Sequence, residues 1–238
     1  MIIDAHVHVK GGDTYRREFS AEHILQTMDE AGIDKSVIFS ICLPGRESNE
    51  LTQRCYEQCP ERFIPFAHVL PEDGRRAIVE LERCAQQLGW KGLKLHVGEM
   101  AEASSEPLKY VCAAAQEMDL AVLIDFGTRL DIATELIEAL PELKLLVAHL
   151  GAPNQEVLVE KFISLALDYP AIYMDASYSA VAWKIKDTID AIGADRVVFG
   201  SDGPLIHPAI DLMKIKVCHL SDEDFEKVTW RNIERILS

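Results

Sequence analysis

Short apolar runs alternate with longer amphipathic stretches along the chain. β-Branched and aliphatic residues cluster at 2–7, 35–41, 63–69, 92–96, 121–124, 143–148, 171–174 and 196–199. Most of these runs are nearly continuous, as expected of parallel strands covered on both faces. Between them, helical segments are predicted over 21–31, 48–58, 75–88, 107–118, 131–140, 154–167, 180–192 and about 209–217. Ser20 suits the N-cap of the first. A last helix is predicted over about 222–236, with Ser221 and Asp224 spaced as a capping-box start. Eight strand–helix units in a row predict a parallel sheet. In a chain of 238 residues they fit a (β/α)8 TIM barrel with an extra C-terminal helix, as a single domain over residues 1–238. A doubly wound open sheet is the main competitor. No Gly-x-Gly-x-x-Gly follows the first strand, which weakens a dinucleotide-binding fold. The small, acidic stretch 98–105 is a candidate lid.

Composition narrows the partners. A hydrophobic content of 48% with 26% charged residues is ordinary for a globular protein. The formal net charge of −15 disfavours nucleic acid and anionic membrane surfaces. No basic start precedes an apolar stretch, and no apolar run reaches transmembrane length, so a cytoplasmic protein acting on a small molecule is expected. A homodimer is a reasonable expectation for such a barrel. None of the six cysteines forms Cys-x-x-Cys. Cys55 and Cys59 share a helical face, but buried thiols in a reducing compartment explain them better than a metal half-site.

Candidate chemistry collects at the carboxyl ends of the predicted strands. His6 and His8 are two apart on the first, so both imidazoles leave one face. Two neutral imidazoles are a ready start for a divalent metal site. Lys94 and His96 share a face of the fourth strand. Asp125 ends the fifth, His149 the sixth, Asp175 the seventh and Asp202 the eighth. Barrel enzymes carry their active sites on this rim. Arg46 lies in a predicted loop and can meet a substrate carboxylate. Asp175 and His68 read as structural or rim residues.

Four segments carry a family resemblance: Asp4-Ala-His6-Val-His8, Gly92-Leu-Lys94-Leu-His96, Ala148-His149-Leu-Gly151 and the run from Ile192 through Gly200-Ser-Asp202-Gly-Pro. Together with Asn49 to Pro71 they resemble the amidohydrolase superfamily over nearly the whole chain. The nearest branch is the amidohydrolase-related group, which contains aminocarboxymuconate-semialdehyde decarboxylase, other non-oxidative decarboxylases and several lactonases. The resemblance implies one divalent metal held by His6, His8, Asp125 and Asp202. It implies His149 and Asp202 as catalytic residues, with His96 and Lys94 facing the substrate. Carbamylation of Lys94, as in distant relatives, is disfavoured beside His96.

One position departs from the family pattern. Where relatives end the fifth strand with His, this chain has Asp125. Carboxylate also serves Zn²⁺, the leading metal expectation, but shifts preference towards Mn²⁺ or Mg²⁺. Alternatively Asp125 has left the metal. The leading expectation is hydrolysis of a small amide or lactone by a metal-activated water. The alternative is metal-dependent non-oxidative decarboxylation of a small carboxylic acid. A degenerate, non-catalytic metal-binding barrel is the third reading.

Overall fold

The computed structural model describes residues 1–11 and 19–238. Its strands are β1 (Ile3–His8), β2 (Lys35–Phe39), β3 (Phe63–Pro65), β4 (Ala67–His68), β5 (Gly92–His96), β6 (Ala121–Asp125), β7 (Leu145–Val147), β8 (Ile172–Asp175) and β9 (Val197–Val198). All ladders are parallel, in the orders β1-β2-β3 and β4 through β9. The predicted third strand is split at Phe66, whose N–H still bonds Ile38 O at 2.9 Å. Its buried ring occupies the space beside Gly92, where a Cβ would lie 2.3 Å from it. Counting β3 and β4 as one, the wall has eight strands. The wall closes where Val7 bridges Gly203 and Ala5 N–H donates to Phe199 O at 2.9 Å. The chain is a (β/α)8 barrel.

The helices are α1 (Ala21–Ala31), α2 (Gly45–Tyr56), α3 (Arg75–Glu82), α4 (Ser105–Glu117), α5 (Leu130–Ala139), α6 (Glu156–Asp168), α7 (Ala182–Ile192), α8 (Pro208–Lys216), α9 (Asp222–Glu226) and α10 (Asn232–Leu237). Ser20 accepts a hydrogen bond from His23 N–H and caps α1, while Gly32 at φ 73° ends it. Ser221 caps α9 through Asp224 N–H. A π turn over Lys227–Arg231 joins α9 to α10, so the predicted last helix is two helices around a wider turn. No disulfide joins any of the six cysteines among the described residues. Among the described residues no helix is long and apolar enough to cross a membrane.

Strand parity sorts the core into two layers. On β6, Ala121 and Leu123 join an inner cluster with Val37, Phe39, Phe66 and Leu146. Val122 and Ile124 face outward with Ile24, Leu81, Val111, Leu136 and Phe162 of the helices. On β1 this parity switches. Ile3 and Ala5 belong to the inner cluster, but Val7 and Val9 belong to the outer one. The register against β2 moves from Asp4↔Ser36 to Val7↔Ile38, so β1 carries one extra residue. That bulge re-aims the next side chains. It is the local reason that His6 and His8 turn inward.

Candidate active site

His6 and His8 meet Asp202 across the closing seam. His8 Nε2 lies 2.8 Å from Asp202 Oδ1, and His6 Nε2 lies 3.3 Å from the same oxygen. The three side chains place one donor atom each within 4.8 Å of the others, all buried. Asp202 adopts φ 61°, a left-handed conformation open to Asp at small cost. Asp4 fixes the preceding residue: its carboxylate accepts from Ser201 N–H at 2.9 Å and from Ser201 Oγ–H at 2.5 Å. Burial raises the Asp4 carboxyl to about 7, against the pull of those bonds.

The electrostatics suit a cation. Burial pushes both imidazoles below their ordinary value, so each keeps a lone pair at neutral pH. Burial would push Asp202 up, but His8 and His6 outweigh it and hold the carboxyl well below the usual range. His6 Nδ1 lies 2.7 Å from Asp175 Oδ2, which directs Nε2 into the site. Asp175 is held in turn by Ser177 N–H at 2.9 Å and Ser177 Oγ–H at 2.6 Å. Gly200 leaves room for this contact, because a Cβ there would lie 2.4 Å from Asp175 Oδ1. His8 Nδ1 is buried without a hydrogen-bond partner among the described residues. Two neutral imidazoles and a carboxylate with an oriented His6 are a donor set that fits a divalent metal.

Beside this cluster stands a second group. Asp125 Oδ2 lies 3.2 Å from His96 Nε2 and 3.5 Å from His149 Nε2. His149 Nδ1 lies 2.9 Å from Ser177 Oγ and 3.2 Å from the Ser177 carbonyl. Its ring stacks on His6 at 4.9 Å between centroids. Burial alone would lower His149, but the Asp125 carboxylate outweighs it and raises the imidazole above its ordinary value. Asp125 is correspondingly held far below the carboxylate range. Lys94 is buried with Nζ 3.2 Å from His6 Nε2. These groups open on a cavity of about 410 Å³ with apolar wall from Ile41, Pro153, Tyr178 and Leu205. That volume lies within the ~300–1,000 Å³ range of small-molecule sites.

The structure therefore brings together His6, His8, Lys94, His96, Asp125, His149 and Asp202 at one rim. Asp125 belongs neither to the His6, His8 and Asp202 cluster nor to a second group of potential metal donors, His6, His149 and Asp175, and instead faces His96 and His149. Arg46 is not at this cavity. It sits in the first turn of α2, exposed, with Nε 2.7 Å from Glu50 and Nη1 3.3 Å from Glu80. Asp175 takes a larger part than its sequence context suggests, as the partner of His6. Ser177 and Glu99 were not singled out by the sequence reading. Glu99 lines the cavity, accepts a hydrogen bond from Cys42 N–H and ties the 98–105 stretch to the loop after β2.

Comparison with known proteins identifies the family and supports the fold. Residues 3–238 match the family described as Amidohydrolase. The gamma-resorcylate decarboxylase of Polaromonas sp. strain JS666 is 23% identical over 281 residues, covering 89% of this chain and 85% of that protein. A crystal structure of 2,6-dihydroxybenzoate decarboxylase complexed with 2,6-dihydroxybenzoate superposes with a TM-score of 0.80. Its identity is 16%, over 99% of this chain and 98% of that one. A dihydroxybenzoic acid decarboxylase from Polaromonas sp. JS666, with bound manganese and the inhibitor 2-nitroresorcinol, superposes with a TM-score of 0.78. Its identity is 18%, over 99% of this chain and 96% of that one.

Proposed function

The chain belongs to the amidohydrolase family, and from that premise we propose that it is a metal-dependent, non-oxidative decarboxylase of a small hydroxylated aromatic acid. The observation that carries this reading is the position of His149 between acceptors. One ring nitrogen faces Ser177 Oγ at 2.9 Å and the Ser177 carbonyl at 3.2 Å, and the other faces the Asp125 carboxylate at 3.5 Å. The Ser177 hydroxyl hydrogen is given to Asp175, and the carbonyl and carboxylate have none to give, so the imidazole is set up as a donor on both sides. A proton donor beside the metal cluster suits a reaction that begins by protonating substrate carbon. Hydrolysis needs instead a base to take a proton from water, and an imidazole that donates on both sides is not free to be one. The three relatives described above are decarboxylases of dihydroxybenzoic acids, which supports the same choice.

His6, His8 and Asp202 would hold the metal, with Asp125 outside the ligand set. Bound there, a divalent ion supplies a Lewis-acidic point for substrate oxygens next to the reacting carbon. The manganese in a related structure supports Mn²⁺ over Zn²⁺. His149 gives its Nε2 proton to the carbon bearing the carboxylate. The bond to that carboxylate then breaks, its electron pair returns to the ring, and carbon dioxide leaves. Asp125 stabilises the charged imidazole before transfer and when solvent restores the proton. Tyr178, Ile41 and Leu205 provide apolar wall for the ring and limit water around it.

The test is a panel of hydroxybenzoic acids offered to Mn²⁺-loaded protein in D2O. The expected result is carbon dioxide release, with one deuterium on the vacated ring carbon. Turnover of a lactone or amide with solvent oxygen in the product, and no carbon dioxide from any acid, would replace this reading with hydrolysis. Hydrolysis, the leading expectation from sequence, has support only at the level of the superfamily.

A further inference from the structure

His6 has a single lone pair to offer the cavity. Its Nδ1 is 2.7 Å from Asp175, an arrangement that puts the ring hydrogen on Nδ1 and the lone pair on Nε2. Lys94 Nζ lies 3.2 Å from that same Nε2. It is the only hydrogen-bond acceptor that Lys94 Nζ meets among the described residues. Lys94 is 1% exposed, and its ammonium sits 5.0 Å from the centre of the Phe39 ring. An ammonium carries three N–H donors, so two are left over at a residue that lines the cavity. A buried cation with unused donors is a receptor for an anion.

The metal cluster makes a competing claim on His6. A divalent ion held by His6, His8 and Asp202 needs the Nε2 lone pair that Lys94 engages. Two cations cannot share one lone pair, and their mutual repulsion in a buried site is strong. We propose that Lys94 and the metal exclude one another at His6 Nε2, so that metal binding turns the Lys94 ammonium towards the cavity, where it anchors the carboxylate of the substrate. The competition follows from the His6 contacts alone. The anchoring half rests on the decarboxylase reading above. In this arrangement a substrate acid binds more tightly to metal-loaded protein, because there the ammonium is released from His6.

Titration of metal-stripped protein with Mn²⁺, followed by calorimetry, separates the two halves. Lys94→Met keeps the length of the side chain and removes the charge. It is expected to bind Mn²⁺ about tenfold more tightly than wild type, the scale of a change next to a metal ligand. Benzoate binding to the Mn²⁺-loaded protein is expected to weaken about tenfold in the same variant, the scale of one charge-assisted hydrogen bond. Lys94→Gln serves as a second variant, and thermal melting confirms that each is folded. Equal or weaker Mn²⁺ binding by both folded variants would overturn the competition. Mn²⁺ binding by wild type that rises with bicarbonate, and not in Lys94→Met, would overturn it in favour of a carbamylated lysine. Unchanged benzoate binding would overturn the anchor alone. Failure of Mn²⁺ to bind wild type under any condition would instead remove the metal-dependent reading of the site.

Discussion

Asp4 grips Ser201 twice, accepting from its backbone N–H at 2.9 Å and its hydroxyl at 2.5 Å, across 197 positions of sequence. The grip joins the first wall strand to the residue before Asp202. Asp4→Ala strands two buried donors at Ser201, each worth ~1–3 kcal/mol when unsatisfied. Urea unfolding is expected to show a loss of about 2–4 kcal/mol. Metal affinity is expected to fall with it, because Asp202 loses its fixed neighbour. A loss below about 1 kcal/mol in the melt would show that other contacts hold the seam.

Gly200 is the point where a single methyl group reaches the site. Its missing Cβ would lie 2.4 Å from Asp175 Oδ1 and 2.9 Å from His6 Cβ. Gly200→Ala therefore pushes on Asp175 and, less severely, on the His6 side chain that Asp175 orients. Mn²⁺ affinity is expected to drop about 10–100-fold, the usual effect of losing a partner that orients a ligating His. Equilibrium dialysis with elemental analysis checks it, with His8→Ala as the reference for outright loss of a ligand. Wild-type affinity in Gly200→Ala would mean that Asp175 does not orient His6.

Asp125 sets the charge of His149. The carboxylate raises the imidazole above its ordinary value, against burial, so Asp125→Asn removes the influence that raises it. His149 then loses its proton at lower pH. If the protonated ring is the donor, the alkaline limb of kcat/KM moves to lower pH, by about one unit or more. A profile with an unmoved alkaline limb would take His149 out of the donor role.

Asp211 gives the fold a pH dependence away from the metal cluster. It is buried on α8, and its Oδ1 accepts from Tyr178 N–H at 3.1 Å and Lys214 Nζ at 3.0 Å. Tyr178 meets His149 edge-on at 5.7 Å, so this carboxylate steadies part of the cavity wall. Burial raises it from 3.8 to about 6, with Lys214 opposing. Between those values the folded protein keeps a proton that the unfolded chain has released. Its contribution to stability is therefore full below about 4, falls as pH rises, and levels off above about 6. The gap between wild type and Asp211→Asn is expected to shift against wild type by up to ~3 kcal/mol across that window. Urea titrations at a series of pH values measure it, and a constant gap would reject the shift.

The fold was legible because most wall strands are nearly continuous apolar runs, as at 121–124, which is what covered parallel strands favour. The break at Phe66 was not legible, since a buried ring inside an apolar run looks like its neighbours. His6 and His8 could be paired from spacing alone, although the bulge that turns them inward leaves no mark in the residue pattern. The role of Asp175 depends on a contact 169 positions away, which only the closed wall creates. Arg46 misled for a local reason. Helix α2 starts at Gly45, earlier than the apolar spacing indicates, and that puts Glu50 one turn from Arg46. The guanidinium is spent there. Asp125 departs from the family pattern in the sequence itself, and its neighbours His96 and His149 show what the change accompanies.

The join between Val7 and Gly203 bears on how the molecule comes into being. His6 and His8 are synthesised long before Asp202, which follows the last described strand of the wall. Until then the two imidazoles have no carboxylate opposite them and the cylinder stays open along that line. An ion lodged there would act as a rivet through the last gap to shut, tying kinetic persistence of the whole shell to its own residence. Stripping the ion should then hasten unfolding far more than it slows folding.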